Sequence, residues 1–107
     1  MGKTMYRIEF YAPVDKVEAV KLAMFDAGGG KIGTYEHCAW QALGQGQFKP
    51  GEGSNPFLGS AGDLETVNEY KVEMVCTAAV VEAVIQAMKQ AHPYEEPAYG
   101  VIRLESF

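Results

Sequence analysis

The chain has 107 residues, 48% of them apolar and 21% charged, with a formal net charge of −5. That is enough for one core of ordinary density and too apolar for intrinsic disorder. Nine scattered basic residues exclude the clustered Lys/Arg surface that nucleic acid or an anionic membrane requires, and no apolar run approaches the about 18 residues of a spanning helix.

Met5 to Tyr11 alternates as a strand, with Tyr6, Ile8 and Phe10 on one face and Arg7 and Glu9 on the other. Pro13, which has no N–H to donate, ends it and suits the first turn of a helix, where Asp15 complements the helix dipole. Val17, Val20 and Met24 form one helical stripe, widened by Leu22, Ala23 and Phe25. Gly28-Gly29-Gly30 stops this helix, because Gly28 takes the left-handed conformation at little cost. From Ile32 to Lys49 the pattern predicts an extended, partly irregular strand, with Gly44 and Gly46 marking a bulge or a close backbone approach.

Residues 50–62, rich in Gly, Pro, Ser and Asn, predict a loop of about a dozen residues, long enough to have a job of its own. Phe57 and Leu58 within it are expected to dock on this domain or on a neighbouring subunit. Glu65 to Cys76 reads as a strand, and Thr77 as the N-cap of a second helix carrying Val81, Val84, Ile85 and Met88 at i, i+3, i+4, i+7. His92-Pro93 ends that helix. Ala98 to Phe107 is the last strand, with Ile102 and Leu104 expected to face inward and Tyr11, Val75, Tyr99 and Val101 to lie on the opposite side.

The order β-α-β-β-α-β predicts an α+β ferredoxin-like sandwich over residues 1–107, with four antiparallel strands and two helices on one face. The other face needs a cover, which points to an oligomer or a ligand platform. Met1-Gly2-Lys3-Thr4-Met5 lacks the apolar stretch of a signal peptide, and Cys38 and Cys76 lack CxxC spacing. Reduced thiols in a cytoplasmic protein are the expectation.

Three segments are candidates for chemistry. The first, Gly33 to Trp40, holds Glu36, His37 and Cys38. Imidazole and thiolate suit zinc or copper, although a regular strand would point His37 away from Glu36 and Cys38. The second, His92-Pro93-Tyr94-Glu95-Glu96-Pro97-Ala98-Tyr99, places two carboxylates and a His on a backbone restrained by prolines. It offers a structural restraint, a ligand or divalent-metal site, or a general acid or base in Glu95 or His92. The third, Gly44 to Gly51, lacks the spacing of a phosphate loop, and Ser54, Ser60 and Ser106 have no identifiable base.

Four stretches carry a family resemblance: Gly28-Gly29-Gly30-Lys31-Ile32-Gly33-Thr34-Tyr35-Glu36-His37-Cys38, Gly44-Gln45-Gly46-Gln47-Phe48-Lys49-Pro50, Asn55-Pro56-Phe57-Leu58-Gly59 and His92 to Tyr99. On these the chain resembles the domain inserted in YqfO-type, Nif-three-like proteins, and short bacterial proteins made of that domain alone. Ala39-Trp40 departs from the Ser-Phe pair expected after the cysteine, which bears on packing more than on kinship. The resemblance implies a CutA/PII-like trimer. The dinuclear metal centre of full-length relatives lies in flanking halves that this sequence does not contain, so no cyclohydrolase activity is implied.

The leading functional expectation is a homotrimeric small-ligand-binding, regulatory or assembly module without conventional catalysis. Its ligand would lie near Tyr35, His37, Cys38, His92, Tyr94, Glu95, Glu96 and Tyr99. The alternatives are a CutA-type divalent-metal binder using His37, Cys38, His92 and Glu95, and a small hydrolase-like enzyme. No cofactor other than a divalent metal ion is suggested.

Overall fold

The computed structural model describes residues 4–107, so the sequence reading of residues 1–3 lies outside the described residues. Six elements follow one another: β1 (Met5–Pro13), α1 (Val17–Asp26), β2 (Trp40–Phe48), β3 (Glu65–Thr77), α2 (Val81–Ala91) and β4 (Tyr99–Leu104). The strands form one antiparallel sheet in the order β2-β3-β1-β4, which is the ferredoxin-like arrangement. Among the described residues no helix is long and apolar enough to cross a membrane.

Alternation and helical period meet in one core. Ile8, Phe10 and Ala12 of β1 and Val72, Met74 and Cys76 of β3 point to the same face. Val17, Val20 and Met24 of α1 and Val84 and Met88 of α2 cover them, and all are buried. Each large side chain removed from water in this way contributes about 1.5–3 kcal/mol. Leu22 stays exposed, so the α1 stripe is narrower than expected. The second helix starts at Val81 with no side-chain cap, because Thr77 remains in β3 and its carbonyl, not its hydroxyl, bonds the Val80 N–H.

The glycine triplet ends α1 in a Schellman motif. Gly28 (φ 109°) donates to the Phe25 carbonyl at 3.0 Å, and Gly29 donates to that of Met24 at 3.0 Å. Gly30 then binds the chain to β3, its N–H reaching the Val75 carbonyl at 2.8 Å, and its own carbonyl accepts from the Cys38 N–H at 2.8 Å.

Further expectations need correction. Pro13 is the last residue of β1, paired with Glu69, and α1 begins at Val17, so Glu18 and not Asp15 is the acidic residue of its first turn. Ile32 to Tyr35 form a tight turn, residues 36–39 are irregular, and β2 begins only at Trp40. Ile32 and Tyr35 exchange backbone hydrogen bonds, and Gly33 and His37 have φ of 58° and 57°, which no strand accommodates. The alternation argument separating His37 from Cys38 therefore does not apply. In β4 the phase is the reverse of that expected. Ile8 faces Val101 and Arg7 faces Ile102, so Tyr99 and Val101 lie on the helix side and Ile102 and Leu104 on the open side. The cause is a strand with apolar residues on both faces, where a one-residue slip exchanges them all.

The open face carries a closed ring of charges. Arg7 lies 3.5 Å from Glu9 and 3.6 Å from Glu73, and Lys71 lies 4.0 Å from Glu9 and 3.8 Å from Glu73. Beyond the end of β1 opposite Glu69, β2 and β3 continue as a two-stranded arm, pairing Gln45 to Phe48 with Asn68 to Glu65.

Candidate functional site

At the arm end of the open face, five segments line a cleft of about 240 Å³. Tyr11 comes from β1, Phe48 from β2, Val67 and Glu69 from β3, Phe57 from the long loop, and Tyr94, Glu95 and Glu96 from the turn after α2. Register explains the first part of this list. Tyr11, Glu69 and Val67 alternate onto the open face, and Phe48 sits opposite Glu65 on that same face.

Tyr94 is the centre of the site. Its ring is tilted by 56° to Phe48 at 5.8 Å, by 51° to Phe57 at 6.3 Å and by 54° to His92 at 5.0 Å. Its hydroxyl oxygen is buried with no hydrogen-bond partner among the described residues. Burial, and then the charges of Glu69 and Asp15, push the phenol above its ordinary pKa.

His92 supports this wall from behind. It is buried, and Pro93 after it holds its backbone extended (ψ 138°) where α2 ends. Its Nδ1 accepts from the Tyr94 N–H at 3.1 Å, so the ring proton sits on Nε2, which donates to the Tyr11 carbonyl at 2.6 Å. Burial lowers its pKa, opposed by the bond to Tyr11, so the neutral ring is favoured.

The long loop docks, as its aromatic content predicted. The Asn55 N–H donates to Glu95 Oε1 at 2.8 Å, and Phe57 leans on Tyr94. Phe57→Ala is expected to lower stability by about 1 kcal/mol, because the ring is only half buried. It should also raise hydrogen exchange throughout residues 50–62, which mass spectrometry would detect. An unchanged exchange pattern would show that the ring does not hold the loop.

Glu69 has a more costly position. Burial pushes its carboxyl above the ordinary value of 4.5, and the carboxylate occupies the space where a Cβ at Gly46 would stand. Gly46 pairs with Val67, so Glu69 is its diagonal neighbour on one face. The close approach suspected at Gly46 is therefore the approach of this side chain, and that pairing was the available signal for Glu69. Tyr11 and Phe48 carried no comparable signal.

The expected site residues separate into groups. Tyr94, Glu95 and Glu96 line the cleft, and His92 positions Tyr94. Tyr99 lies on the helix side beneath Lys89, whose Nζ is 5.2 Å from the ring centroid. Tyr35 is 75% exposed on its turn. His37 stacks on Phe25 at 4.5 Å, and Cys38 borders a shallow depression with Arg7, Trp40 and Glu73 at the other end of the sheet. Arg7 and Tyr11 mark those two ends on β1, and four residues of strand separate them by about 13 Å.

The residues proposed for a metal are therefore not brought together within one chain. His37 and Cys38 are remote from His92 and Glu95, both His92 nitrogens are used by the backbone, and Glu95 already accepts from Asn55. Among the described residues no group of three or more His, Cys, Asp or Glu is arranged to hold a metal ion. Within one protomer, His37, Cys38, His92 and Glu95 do not form a divalent-cation site.

No protein-family model matches the chain. The Mycobacterium leprae protein called GTP cyclohydrolase 1 type 2 homolog is 49% identical over 94 residues, covering 88% of this chain and 24% of that protein. The Bacillus subtilis protein of the same name is 44% identical over 99 residues, covering 92% and 26%. A Bacillus cereus crystal structure of a protein related to NIF3 superposes with a TM-score of 0.83 at 40% identity, over 99% of this chain and 27% of that one. This chain is related to the NIF3-type proteins through that one segment. It spans about a quarter of the length of the curated relatives it matches.

The fold itself is shared more widely. CutA1 from Shewanella sp. SIB1 superposes with a TM-score of 0.70 at 14% identity, covering all of this chain and 87% of that one. Bacillus subtilis GlnK, in a structure of its ATP complex, superposes at 0.60 and 14% identity. The NIF3-related segment thus has a CutA/PII-like fold.

Proposed function

We propose that the chain is one cytoplasmic domain that acts as a homo-oligomeric, ligand-binding regulatory or assembly module, with a trimer as the expected oligomer. The observation that carries this reading is the open sheet face. Trp40 and Ile102 are 58% and 40% exposed there, and Val75 and Leu104 add partly covered apolar surface. Exposed apolar side chains on a sheet face that no element of the chain covers support an interaction surface.

The charges within the patch favour a second copy of the chain as the cover. Arg7 and Lys71 are balanced by Glu9 and Glu73, so two copies of the face meet without net repulsion. The cleft at the end of the same face supplies the ligand site of this reading. The position of His92, spent on two backbone partners, supports a binding role over acid–base catalysis. The cyclohydrolase name of the relatives belongs to proteins about four times longer and contributes nothing to this proposal.

Sedimentation equilibrium at micromolar concentration is expected to return three times the protomer mass of 11.7 kDa. Ile102→Glu, which places a fifth charge in the balanced patch, is expected to shift the distribution to protomer while leaving the far-ultraviolet circular dichroism unchanged. A wild-type chain that remains strictly monomeric would remove the proposal.

A further inference from the structure

The cleft's own chemistry narrows what it can hold, on the reading that it is the ligand site. Glu69, Glu95 and Glu96 line it, and among the described residues no Lys, Arg or His lies within ion-pair distance of any of them. Glu95 has a backbone amide on one oxygen. Glu69 has no comparable partner, and burial makes its charge expensive. An anionic ligand would add to this imbalance, whereas a cation would relieve it.

The rest of the lining is aromatic. Phe48 and Phe57 both lean on Tyr94 at tilts above 50°, which gives a concave wall of ring faces and edges. Ring faces attract alkylammonium and guanidinium groups. One ring of the cleft already makes such a contact, since Lys16 Nζ lies 5.9 Å from the Phe57 centroid. At about 240 Å³ the cleft is below the ~300 Å³ at which drug-sized ligands are typically held, so a small molecule fits better than a nucleotide.

We infer that the cleft binds a small organic cation, an alkylammonium or alkylguanidinium, with its charge at Glu69 and its apolar part against Phe48, Phe57 and Tyr94. The intact protein, in its own assembly state, is titrated with butylguanidinium chloride, with the neutral near-isostere butylurea and with ATP, and followed through backbone amide chemical shifts. Butylguanidinium is expected to give saturable shifts centred on residues 11, 48, 57, 69 and 94. Butylurea is expected to bind at least about tenfold more weakly, because it lacks the charge-assisted bond to Glu69. Glu69→Gln, a near-isosteric change, should cost butylguanidinium about tenfold in affinity and leave butylurea unaffected. Gly46→Ala, whose added methyl displaces the Glu69 carboxylate, should act in the same direction.

Equal binding of the two butyl compounds, or an indifferent Glu69→Gln variant, overturns the cation assignment and leaves the cleft as a ligand site. Shifts at the same amides from ATP and not from butylguanidinium do the same. Silence of these amides towards all three compounds removes the cleft reading as well.

Discussion

Gly30→Ala is expected to destabilise the chain by about 3 kcal/mol, the sum of left-handed backbone strain of about 1–2 kcal/mol and overpacking of about 1–3 kcal/mol. Gly30 has φ 75°, and a Cβ there would stand 2.7 Å from the Phe25 ring and 2.8 Å from the Cys38 carbonyl oxygen. The carbonyl is backbone, held by the turn, so it cannot simply rotate away. In a domain of this size the loss corresponds to a Tm lower by about 10 °C or more. Gly33→Ala is the control. It shares the positive φ, at 58°, but its new methyl would meet nothing within 4 Å, so it should lose only about 1 kcal/mol. Thermal denaturation at one fixed protein concentration separates the two, since assembly would couple Tm to concentration. Equal losses would show that crowding at Gly30 has no part in stability.

The second large effect is expected at His92. Replacing it with Ala strands the Tyr11 carbonyl and the Tyr94 N–H in a half-buried site, at about 1–3 kcal/mol for each unsatisfied group. It also releases the wall that Tyr94 forms. Native and unfolded chains differ in proton uptake here. The folded ring has its pKa below the ordinary 6.5 because burial disfavours the charged form, so on acidification the unfolded chain takes up the proton first. Wild-type stability should therefore decline as the pH falls below about 6.5 and level off below the folded pKa. Glu69 has the opposite sign. Its raised pKa makes the folded chain the better proton acceptor above 4.5, so its contribution grows as the pH falls towards that value. Denaturant melts between pH 7 and pH 5 in a Glu69→Gln background isolate the histidine, and His92→Ala in that background should flatten the slope. A slope that survives the substitution would assign the acid sensitivity elsewhere.

The parts of the fold that were legible in the sequence were those with a clean period. Val84 and Met88 on α2, and Val72, Met74 and Cys76 on β3, each left one face unambiguous, and all are buried. Where the pattern was two-sided it misled. Tyr99, Val101, Ile102 and Leu104 are apolar on both faces of β4, so pairing with β1 and not composition decided which side each faces. The turn at 32–35 was missed although Gly33 at its tip carried a turn signal, and the irregular stretch after it contains His37 at a positive φ uncommon for a residue with a side chain.

The candidate site divides in the same way. Tyr94, Glu95 and Glu96 stand together between prolines and were visible as a segment. Tyr11, Phe48 and Glu69 belong to three different strands, and only the register of the sheet brings them beside Tyr94. Cys38 and His37 pointed to metal chemistry by type alone, and the sheet carries them away from His92.

The two-stranded arm has a dynamic consequence. From Gln45 to Phe48 the ladder has a partner on one side only, and no core residue lies along this stretch. Such a segment opens by itself at low free energy, well before the whole domain unfolds. Phe48 and Val67 at its tip form one flank of the cleft, so an occupant that holds them would quieten the arm's fluctuations. Loading of the site would then be felt by anything that contacts the arm, even if the mean structure did not change.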